Sequence, residues 1–550
     1  MNGLIQLFLR YLRTIYYLKP VQIYGRIWQF IKRKKIDKSN FFGEIQLSNN
    51  WIRSIESLPK LVGKNSFIFL NEAHQVLYPV DWNNPKCSKL WLYNLHYFDD
   101  LNCVDSDKRA SWHNELIQRW INENSIGQGN GWEPYPTSIR IVNWIKWAFA
   151  GNQFNKEFQF SLVVQIRFLS NNLETYLLGN HLFSNAKALI FSGVFFNGSE
   201  ANKWYRTGIN ILKKELNEQI LSDGGHFELS TMYHSNFLED LIDIVNLHKA
   251  YKKKISFQIE DRINKMFHWM QVMNHPDGDI SFFNDSALFI SPTLSQLSDY
   301  WYRVSKQSLP ISNSLKSELI NLESSGYTRV QKNNFIAIID RANVGPAYLP
   351  SHAHADTLSF ELSIFEKRLI VNPGVSQYRK GIERTNQRST RAHSTVVIDD
   401  QNSSDVWSSF RVSRRAKVFD CVNEISKDKI TISAYHDGYK YLAGSPIHKR
   451  DWIFHEKSLE IIDSILGRGS HKIEIILPLH PKVSIVSNSK SSVKLSLFEN
   501  QIEISFYGEG ILKIEKSNYH PEFGLSIQNI KLVFQVFGEL PLSIKTIVSC

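Results

Sequence analysis

Two of the 18 histidines of this 550-residue chain lie close together in one polar segment, residues 351–360. His352 and His354 stand two positions apart, so on a β-strand both side chains would point to the same face. That spacing supplies either two metal ligands or one ligand and one catalytic group. His354 and His393, with a carboxamide or a carboxylate between them, could form a three-ligand metal site.

Two further clusters of polar residues stand at predicted helix starts. Asn180 suits a helix N-cap with His181 in the first turn, where the helix dipole favours an anionic ligand. The other cluster follows two glycines and contains Glu228, Tyr233 and His234. A tyrosine that faces a cleft can exchange protons if cationic neighbours lower its pKa. A packed tyrosine with a satisfied hydroxyl is the structural alternative.

A third helix start combines aromatic residues with an arginine. Arg140 lies in the predicted first turn, near Trp132 and Tyr135. An arginine in this setting could bind a sugar carboxylate through two hydrogen bonds. A structural ion pair accounts for the same residues equally well.

The hydrophobic pattern changes its period near residue 325. From about 105 to 320 apolar residues recur at helical spacing, whereas later segments alternate with period two. This predicts an α+β multidomain chain with serial helical hairpins, which can close into an (α/α) toroid, followed by a large antiparallel β-sandwich. We predict three parts: a basic amphipathic N-terminal segment (1–60), the toroid (61–324) and the sandwich (325–550).

The positive charge of the chain is concentrated at its N-terminus. The net charge is +11, and residues 1–40 contain nine lysines and arginines but one aspartate, a net +8. Such a segment either lies on an anionic bilayer as a peripheral membrane contact or packs as a helix on the main body. No apolar run reaches the ~18 residues of a membrane span. Charges also interrupt the N-terminal apolar run, so we expect no signal peptide. This favours a location that is cytoplasmic or peripheral to the inner membrane, with the periplasm left open.

Five motifs, taken in order, resemble the heparinase II/III family of polysaccharide lyases: GNHLFSNAKAL, DGGHFELSTMYH, SHAHADTLSFEL, VNPG and RAHSTVVID. The preceding WEPYPTSIRIVNW is similar to the helical domain of the family. The resemblance covers most of the chain from about residue 90. It implies an incomplete (α/α) toroid joined to an antiparallel β-sandwich, with the active site between them.

The reaction that the resemblance implies is β-elimination on a uronic-acid-containing polysaccharide. The enzyme must neutralise the uronate carboxylate, remove the C5 proton and protonate O4 as it leaves. Asn180 and His181 lie where the family has its carboxylate-neutralising Asn or its catalytic His. Tyr233 matches the catalytic tyrosine, which donates to O4 and on one epimer can also abstract the C5 proton. His352 matches the catalytic histidine of the strand motif. Trp132, Tyr135, Arg140, Glu228 and His234 are the predicted substrate contacts.

The resemblance also implies a structural divalent metal, usually zinc or calcium. Its ligands match His354, His393 and Asn372. The family commonly has Asp at the third position, and a neutral amide binds zinc more weakly than a carboxylate.

Other functions fit parts of the same pattern. A C5 uronate epimerase would use the same base, and a non-catalytic protein could bind the same glycan. A hydrolase would need two opposed carboxylates, for which Glu133, Glu228 and Asp285 are candidates. The expected partner is an acidic polysaccharide or oligosaccharide, in the making or trimming of a bacterial surface polysaccharide. No nucleic-acid-binding signature is present.

Overall fold

The structure is a computed structural model that describes residues 2–32, 36–255, 258–309 and 317–550. The chain begins with two helices, α1 (Asn2–Tyr16) and α2 (Pro20–Ile31). Pro20 occupies the first turn of α2, where its missing N–H costs no hydrogen bond. A small antiparallel sheet follows, formed by β1 (Leu61–Gly63), β2 (Ser66–Phe69) and β3 (Glu72–Gln75).

Longer helices follow and form the helical half. In the described ranges they are α3 (Lys89–Tyr97), α4 (Ala110–Glu123), α5 (Pro134–Phe149), α6 (Lys156–Asn171), α7 (Gly179–Phe195), α8 (Ser199–Gln219), α9 (Thr231–Ala250), α10 (Ile259–Met273) and α11 (Leu294–Ser305). Side-chain caps begin several of them: Ser88, Asn155, Ser230 and Thr293 accept backbone N–H bonds. Their apolar faces pack into one aromatic-rich core. Within the described residues, no helix is long and apolar enough to cross a membrane.

The second half of the chain is built from antiparallel strands and one short helix. The elements are β4 (Leu319–Leu322), β5 (Tyr327–Lys332), β6 (Phe335–Asp340), β7 (Phe360–Ile364), β8 (Lys367–Ile370), α12 (Ile382–Gln387), β9 (Val396–Ile398), β10 (Val406–Trp407), β11 (Arg411–Val412), β12 (Val418–Ile425), β13 (Ile430–His436), β14 (Ile447–Phe454), β15 (Ser458–Leu466), β16 (Ser470–Pro478), β17 (Val483–Asn488), β18 (Ser492–Leu497), β19 (Asn500–Tyr507), β20 (Gly510–Tyr519), β21 (Ile527–Glu539) and β22 (Leu542–Ser549).

These strands form three sheets and one hairpin. The five-stranded sheet has the order β4-β5-β6-β7-β8, and the four-stranded sheet has the order β20-β21-β16-β9. A bridge between Ile370 and Leu479 joins these two sheets. The eight-stranded sheet has the order β12-β13-β14-β15-β22-β19-β18-β17, and its buried alternate residues share one core with the other two. The observed layout confirms the predicted helical half followed by an antiparallel β-sandwich.

Two local predictions differ from the structure. Residues 341–359, which contain both clustered histidines, are an irregular connection between β6 and β7 and not a strand. The predicted division at residue 324 falls in the turn between β4 and β5. β4 has only four residues, which is too short for a period-two pattern to stand out.

Candidate active site

A cleft of about 1430 Å³ opens beside the first turns of α7 and α9. Asn180, His181 and Tyr233 line it from the helical half. His352 and Tyr378 line it from connections of the β half. The two halves of the chain therefore both contribute side chains to one cavity.

Tyr233 lies in the first turn of α9, which Ser230 caps. Its hydroxyl is 3.1 Å from the hydroxyl of Tyr378. Its ring packs on the His352 imidazole, with ring centroids 4.0 Å apart. Burial and then the neighbouring Tyr378 raise the pKa of Tyr233 well above its usual value. The sequence-based idea of a pKa lowered by cationic neighbours is corrected, because the nearest polar group is a second phenol. A protonated Tyr233 suits the role of proton donor.

Asp285 fixes the orientation of His352 through a hydrogen bond to the Nδ1 side of the ring. Its completely buried carboxylate accepts a hydrogen bond from His352 Nδ1 at 2.8 Å and one from Arg384 Nη2 at 2.6 Å. Burial opposes its ionisation, but the Arg384 charge and the hydrogen bonds hold the pKa of Asp285 well below its usual range. An ionised carboxylate only accepts, so His352 must carry its proton on Nδ1. When the imidazole is neutral, the Nε2 atom of His352 then carries the lone pair in the cleft wall.

Asn180 and His181 lie in the first turn of α7 and also line the cleft. The N-cap position belongs to Leu178, so the prediction that Asn180 is the N-cap is corrected. Asn180 lies inside the first turn, where its side chain lines the cleft. His181 Nδ1 is 3.0 Å from Glu174 Oε1. Burial disfavours the imidazolium, but the Glu174 carboxylate prevails and raises the pKa of His181. A partly cationic imidazole next to a carboxamide can bind a carboxylate.

Tyr135 and Glu228, two of the predicted substrate contacts, also line the cleft. The Tyr135 ring lies 4.4 Å from that of His181. Glu228 is almost wholly buried, and among the described residues its Oε2 atom has no hydrogen-bond partner and lies 3.9 Å from His352 Nε2. Burial raises the pKa of Glu228.

The other three predicted contacts lie in the core and do not line the cleft, which corrects their assignment. Arg140 is fully buried, bonds to Gln165 Oε1 at 2.8 Å and stacks on Trp120. Trp132 packs against the same Trp120 ring. His234 stacks on a tryptophan and faces the Met266 carbonyl. Arg140 on α5, His234 on α9 and Trp132 in the turn before α5 are all buried, with side chains that pack in the core and not against the cleft.

The ring nitrogens of His354 and His393 face each other 3.0 Å apart. His354 Nε2 must donate to the Asp285 carboxylate, and His393 Nδ1 must donate to the Ser389 carbonyl. Burial lowers the pKa of His354 to about 4 and also lowers that of His393. Two neutral rings therefore direct lone pairs at each other. This repulsive arrangement is what a cation between the two rings would relieve.

Acidic and amide groups complete this candidate metal site. One ligand atom each from His354, His393 and Asp356 lies within 4.8 Å of the others. Within the part of the chain that the structure describes, Asp356 Oδ2 has no hydrogen-bond partner, and neither has the side-chain amide of the fully buried Asn372. Unsatisfied buried polar atoms of this kind are rare in proteins. The residues present thus fit a divalent metal, and Asp356 is a carboxylate that the sequence analysis did not include.

A second histidine pair in the β half shows the contrast. His436 Nδ1 accepts the Gly438 N–H, so His436 Nε2 can donate to His448 Nδ1 at 3.0 Å. His448 Nε2 then donates to Asp463 at 2.7 Å. In this chain of hydrogen bonds, each donor meets an acceptor without any cation. The His354–His393 pair has no such match, because both of the facing nitrogens are acceptors.

Sequence reasoning missed the residues that organise the site. Asp285 appeared only as a hydrolase candidate, and Tyr378, Arg384 and Glu174 were not singled out. Glu174 lies only seven positions before its partner His181, but Tyr378 and Arg384 act through partners 145 and 99 positions away in the chain, Tyr233 and Asp285. No local spacing signals such a contact. The sequence RKGIERTNQR around Arg384 is a dense basic segment, and this is the one signal that could have drawn attention to it.

Family models decide the relationship. The model described as "Heparinase II/III N-terminus" matches residues 102–307, and "Heparinase II/III-like, C-terminal" matches residues 315–545. The chain belongs to the heparinase II/III family. The resemblance seen in the five motifs is thereby confirmed.

Individual relatives of this heparinase II/III family member are distant. A heparin-sulfate lyase of Pedobacter heparinus is 26% identical over 321 residues, which are 52% of this chain and 47% of that protein. One from Bacteroides stercoris is 27% identical over 241 residues, 41% of this chain and 36% of that protein. The matched region thus spans less than half of either relative.

Solved structures share the fold over nearly the whole chain. The crystal structure of heparinase III has a TM-score of 0.70 at 18% identity and covers 94% of this chain and 88% of its own. A heparan sulfate lyase mutant from Pedobacter heparinus has a TM-score of 0.62, also at 18% identity, covering 96% and 87%. These likenesses concern the fold.

Proposed function

We propose that the protein is a polysaccharide lyase that cleaves a uronic-acid-containing glycan by β-elimination. One observation carries the proposal: Tyr233 and His352, a phenol that can donate a proton and an imidazole whose Nε2 can accept one, stack against each other in the cleft. His352 Nε2 removes the C5 proton, and the electrons pass into the uronate carboxylate and then form the C4–C5 double bond. The C4–O4 bond breaks, and Tyr233 gives its proton to O4. The products are an unsaturated uronate and a new chain end.

The carboxylate of the substrate must be neutralised for charge to build up during this reaction. Asn180 and His181 suit this task, since the free N–H groups and positive dipole of the α7 N-terminus reinforce them. Glu174 supports the role because it favours the protonated form of His181. The named activities of the heparin-sulfate lyase relatives support the same reaction class.

The same geometry supports two alternative functions, hydrolase and epimerase, less well than a lyase. A hydrolase needs two carboxyl groups free to act, but Asp285 is buried and occupied by hydrogen bonds to His352, His354 and Arg384. An epimerase would need a second proton donor on the opposite face of the sugar ring. His181 lines the same cleft and could be such a donor, so an epimerase is the alternative that an experiment must separate.

The decisive experiment incubates the protein with a panel of uronate polysaccharides in heavy water. A lyase produces the ultraviolet absorbance of a conjugated, unsaturated uronate together with chain shortening. Deuterium at C5 of an uncleaved chain would instead mean epimerase and would overturn the proposal. The His352→Ala variant is the control, because it should lose both signals.

The charge of the cleft favours a carboxylated and sparsely sulfated substrate. Eight lysines and arginines line it, but so do eight aspartates and glutamates. A heavily sulfated chain needs an excess of cations, which this lining lacks. We expect kcat/KM to be higher on a desulfated uronate glycan than on its sulfated parent.

We also propose that the protein acts in making or trimming a bacterial surface polysaccharide.

We also propose a structural divalent metal, zinc or calcium, at His354, His393 and Asp356, with Asn372 as the predicted further ligand. Two imidazole nitrogens favour zinc over calcium. The metal would cross-link the 341–359 connection to the segment before β9 and would stabilise the loop that presents His352. Metal analysis of the purified protein tests this, and a metal-free protein of unchanged melting temperature would contradict it.

A further inference from the structure

The two N-terminal helices direct their apolar side chains away from the protein. Strongly exposed examples are Leu4 (76%), Phe8 (61%) and Tyr16 (83%) of α1, and Ile27 (57%) and Ile31 (67%) of α2. Further large exposed apolar residues lie on the same helices: Ile5, Leu7, Leu9, Tyr11, Leu12, Ile15, Ile23, Tyr24 and Trp28. Patches of this size on a protein surface usually mark an interaction site.

The polar contacts of both helices account for this outward orientation. On α1, Arg10 pairs with Asp405 at 2.9 Å, and Thr14 lies one turn further on the same side and bonds to Trp407. On α2, the buried Gln22 donates to the Tyr348 carbonyl. Apart from the Tyr11 ring, which packs on Trp407, the contacts with the protein thus come from polar side chains, which is the reverse of an ordinary surface helix. The helices are held in place while their apolar faces remain without a partner in the described chain.

The charge of this segment indicates what covers the apolar face. Residues 1–40 carry a net +8, and the rest of the chain carries +3. Arg13 and Arg26 are both exposed and flank the apolar residues on α1 and α2. Tyr24 and Trp28 add aromatic rings, which are enriched at the boundary between lipid headgroups and acyl chains. An apolar stripe with basic flanks and interfacial aromatics fits an anionic phospholipid bilayer.

We propose that α1 and α2 form a surface that binds anionic phospholipid membranes without crossing them. The helices lie in the plane of the interface, with Phe8 and Ile27 inserted among the acyl chains and Arg13 and Arg26 at the headgroups. Because Arg26 also lines the cleft, binding holds the cleft close to the bilayer. The proposal is independent of the lyase reaction and stands if that reaction is refuted.

Flotation of the full-length protein with lipid vesicles tests the proposal. Vesicles of phosphatidylcholine with phosphatidylglycerol should carry the protein upward at low salt, and vesicles of phosphatidylcholine alone should carry much less. Removing two charges with Arg13→Gln and Arg26→Gln should weaken partitioning by about 30-fold. Removing apolar contacts with Phe8→Ser and Ile27→Ser should weaken it by about 100-fold or more.

Matched control variants test whether a loss of vesicle binding comes from α1 and α2 or from the lower charge and hydrophobicity of the whole protein. Lys203→Gln with Lys494→Gln removes the same charge elsewhere, and Val486→Ser with Phe537→Ser removes exposed apolar residues from the β half. Both controls should float like the unaltered protein.

Three results would overturn the proposal. The first is a protein that stays at the bottom with anionic vesicles, and the second is controls that lose flotation as much as the test variants. The third is a dimer, detected by light scattering, that Phe8→Ser with Ile27→Ser dissociates while no variant floats, since a second copy would then cover the face.

Discussion

Replacing Tyr233 by Phe removes one oxygen atom from the centre of the cleft. Among the described residues, the hydroxyl of Tyr233 has one hydrogen-bond partner, the Tyr378 hydroxyl at 3.1 Å. The ring that packs on His352 is retained in the variant. The change therefore isolates proton donation from packing.

The size of the effect follows from this geometry. General acid catalysis typically contributes about 10²–10⁴-fold, which corresponds to about 2.7–5.4 kcal/mol of the barrier. The lost hydrogen bond costs only about 0.5–1.5 kcal/mol of folding stability, because cleft water can replace it for Tyr378. We expect kcat to fall by at least about 100-fold, with nearly unchanged glycan affinity and melting temperature.

Two substrates distinguish a tyrosine that protonates O4 from one that removes the C5 proton. On the natural glycan, absorbance of the unsaturated product should be almost lost in Tyr233→Phe. On a uronate with fluoride at C4, which leaves without a proton, the variant should recover most of the unaltered rate. Tyr378→Phe is the matched control, since it loses the same hydrogen bond and keeps the donor. Its loss should stay below about tenfold.

Full activity of Tyr233→Phe on the natural glycan would refute the reasoning. So would an equal loss on both substrates, because Tyr233 would then act before the departure of O4, for example as the base at C5.

Three more predictions concern groups around the reacting pair. Glu174→Gln removes the carboxylate that raises the pKa of His181, so the pKa of His181 should fall. The alkaline limb of the kcat/KM profile should then move to lower pH. An unmoved limb would contradict the carboxylate-binding role of His181. Asp285→Asn places an amide donor at His352 Nδ1 and shifts the ring proton to Nε2. We expect kcat to fall on the order of 10³–10⁴-fold, which stopped assays can measure. A normal rate would refute the assigned tautomer. His354→Ala should lower the melting temperature and the zinc content while leaving the pH profile in place, and a shifted profile with unchanged melting would argue against a structural metal.

The fold could be predicted because its signals are local. Helical spacing in α4, α6 and α9 and alternation in β17–β19 reflect which residues face a core, and each is readable within ten or so positions. The irregular 341–359 connection could not be predicted in this way, because its shape depends on contacts with Asp285 and Arg388 from other segments.

The candidate site shows the same division. The helix starts at His181 and Tyr233 stand out as polar clusters after turns, and the structure brings both to one cleft. Arg140 and His234 stand in similar polar clusters of the sequence, but their side chains are buried. Only the packing of neighbouring helices decides which side of a helix turns to the cleft.

The order of the helical and β halves, the family motifs and the basic N-terminus can all be read from the sequence, because each depends on residues close together in the chain. The tertiary structure decided how those motifs are used. It placed Asp285 behind His352, 67 positions away, and Tyr378 against Tyr233. It also turned the apolar faces of α1 and α2 outward. Hydrogen bonding and burial act over a few ångströms in space regardless of separation along the chain, and so only the folded structure reveals these partners.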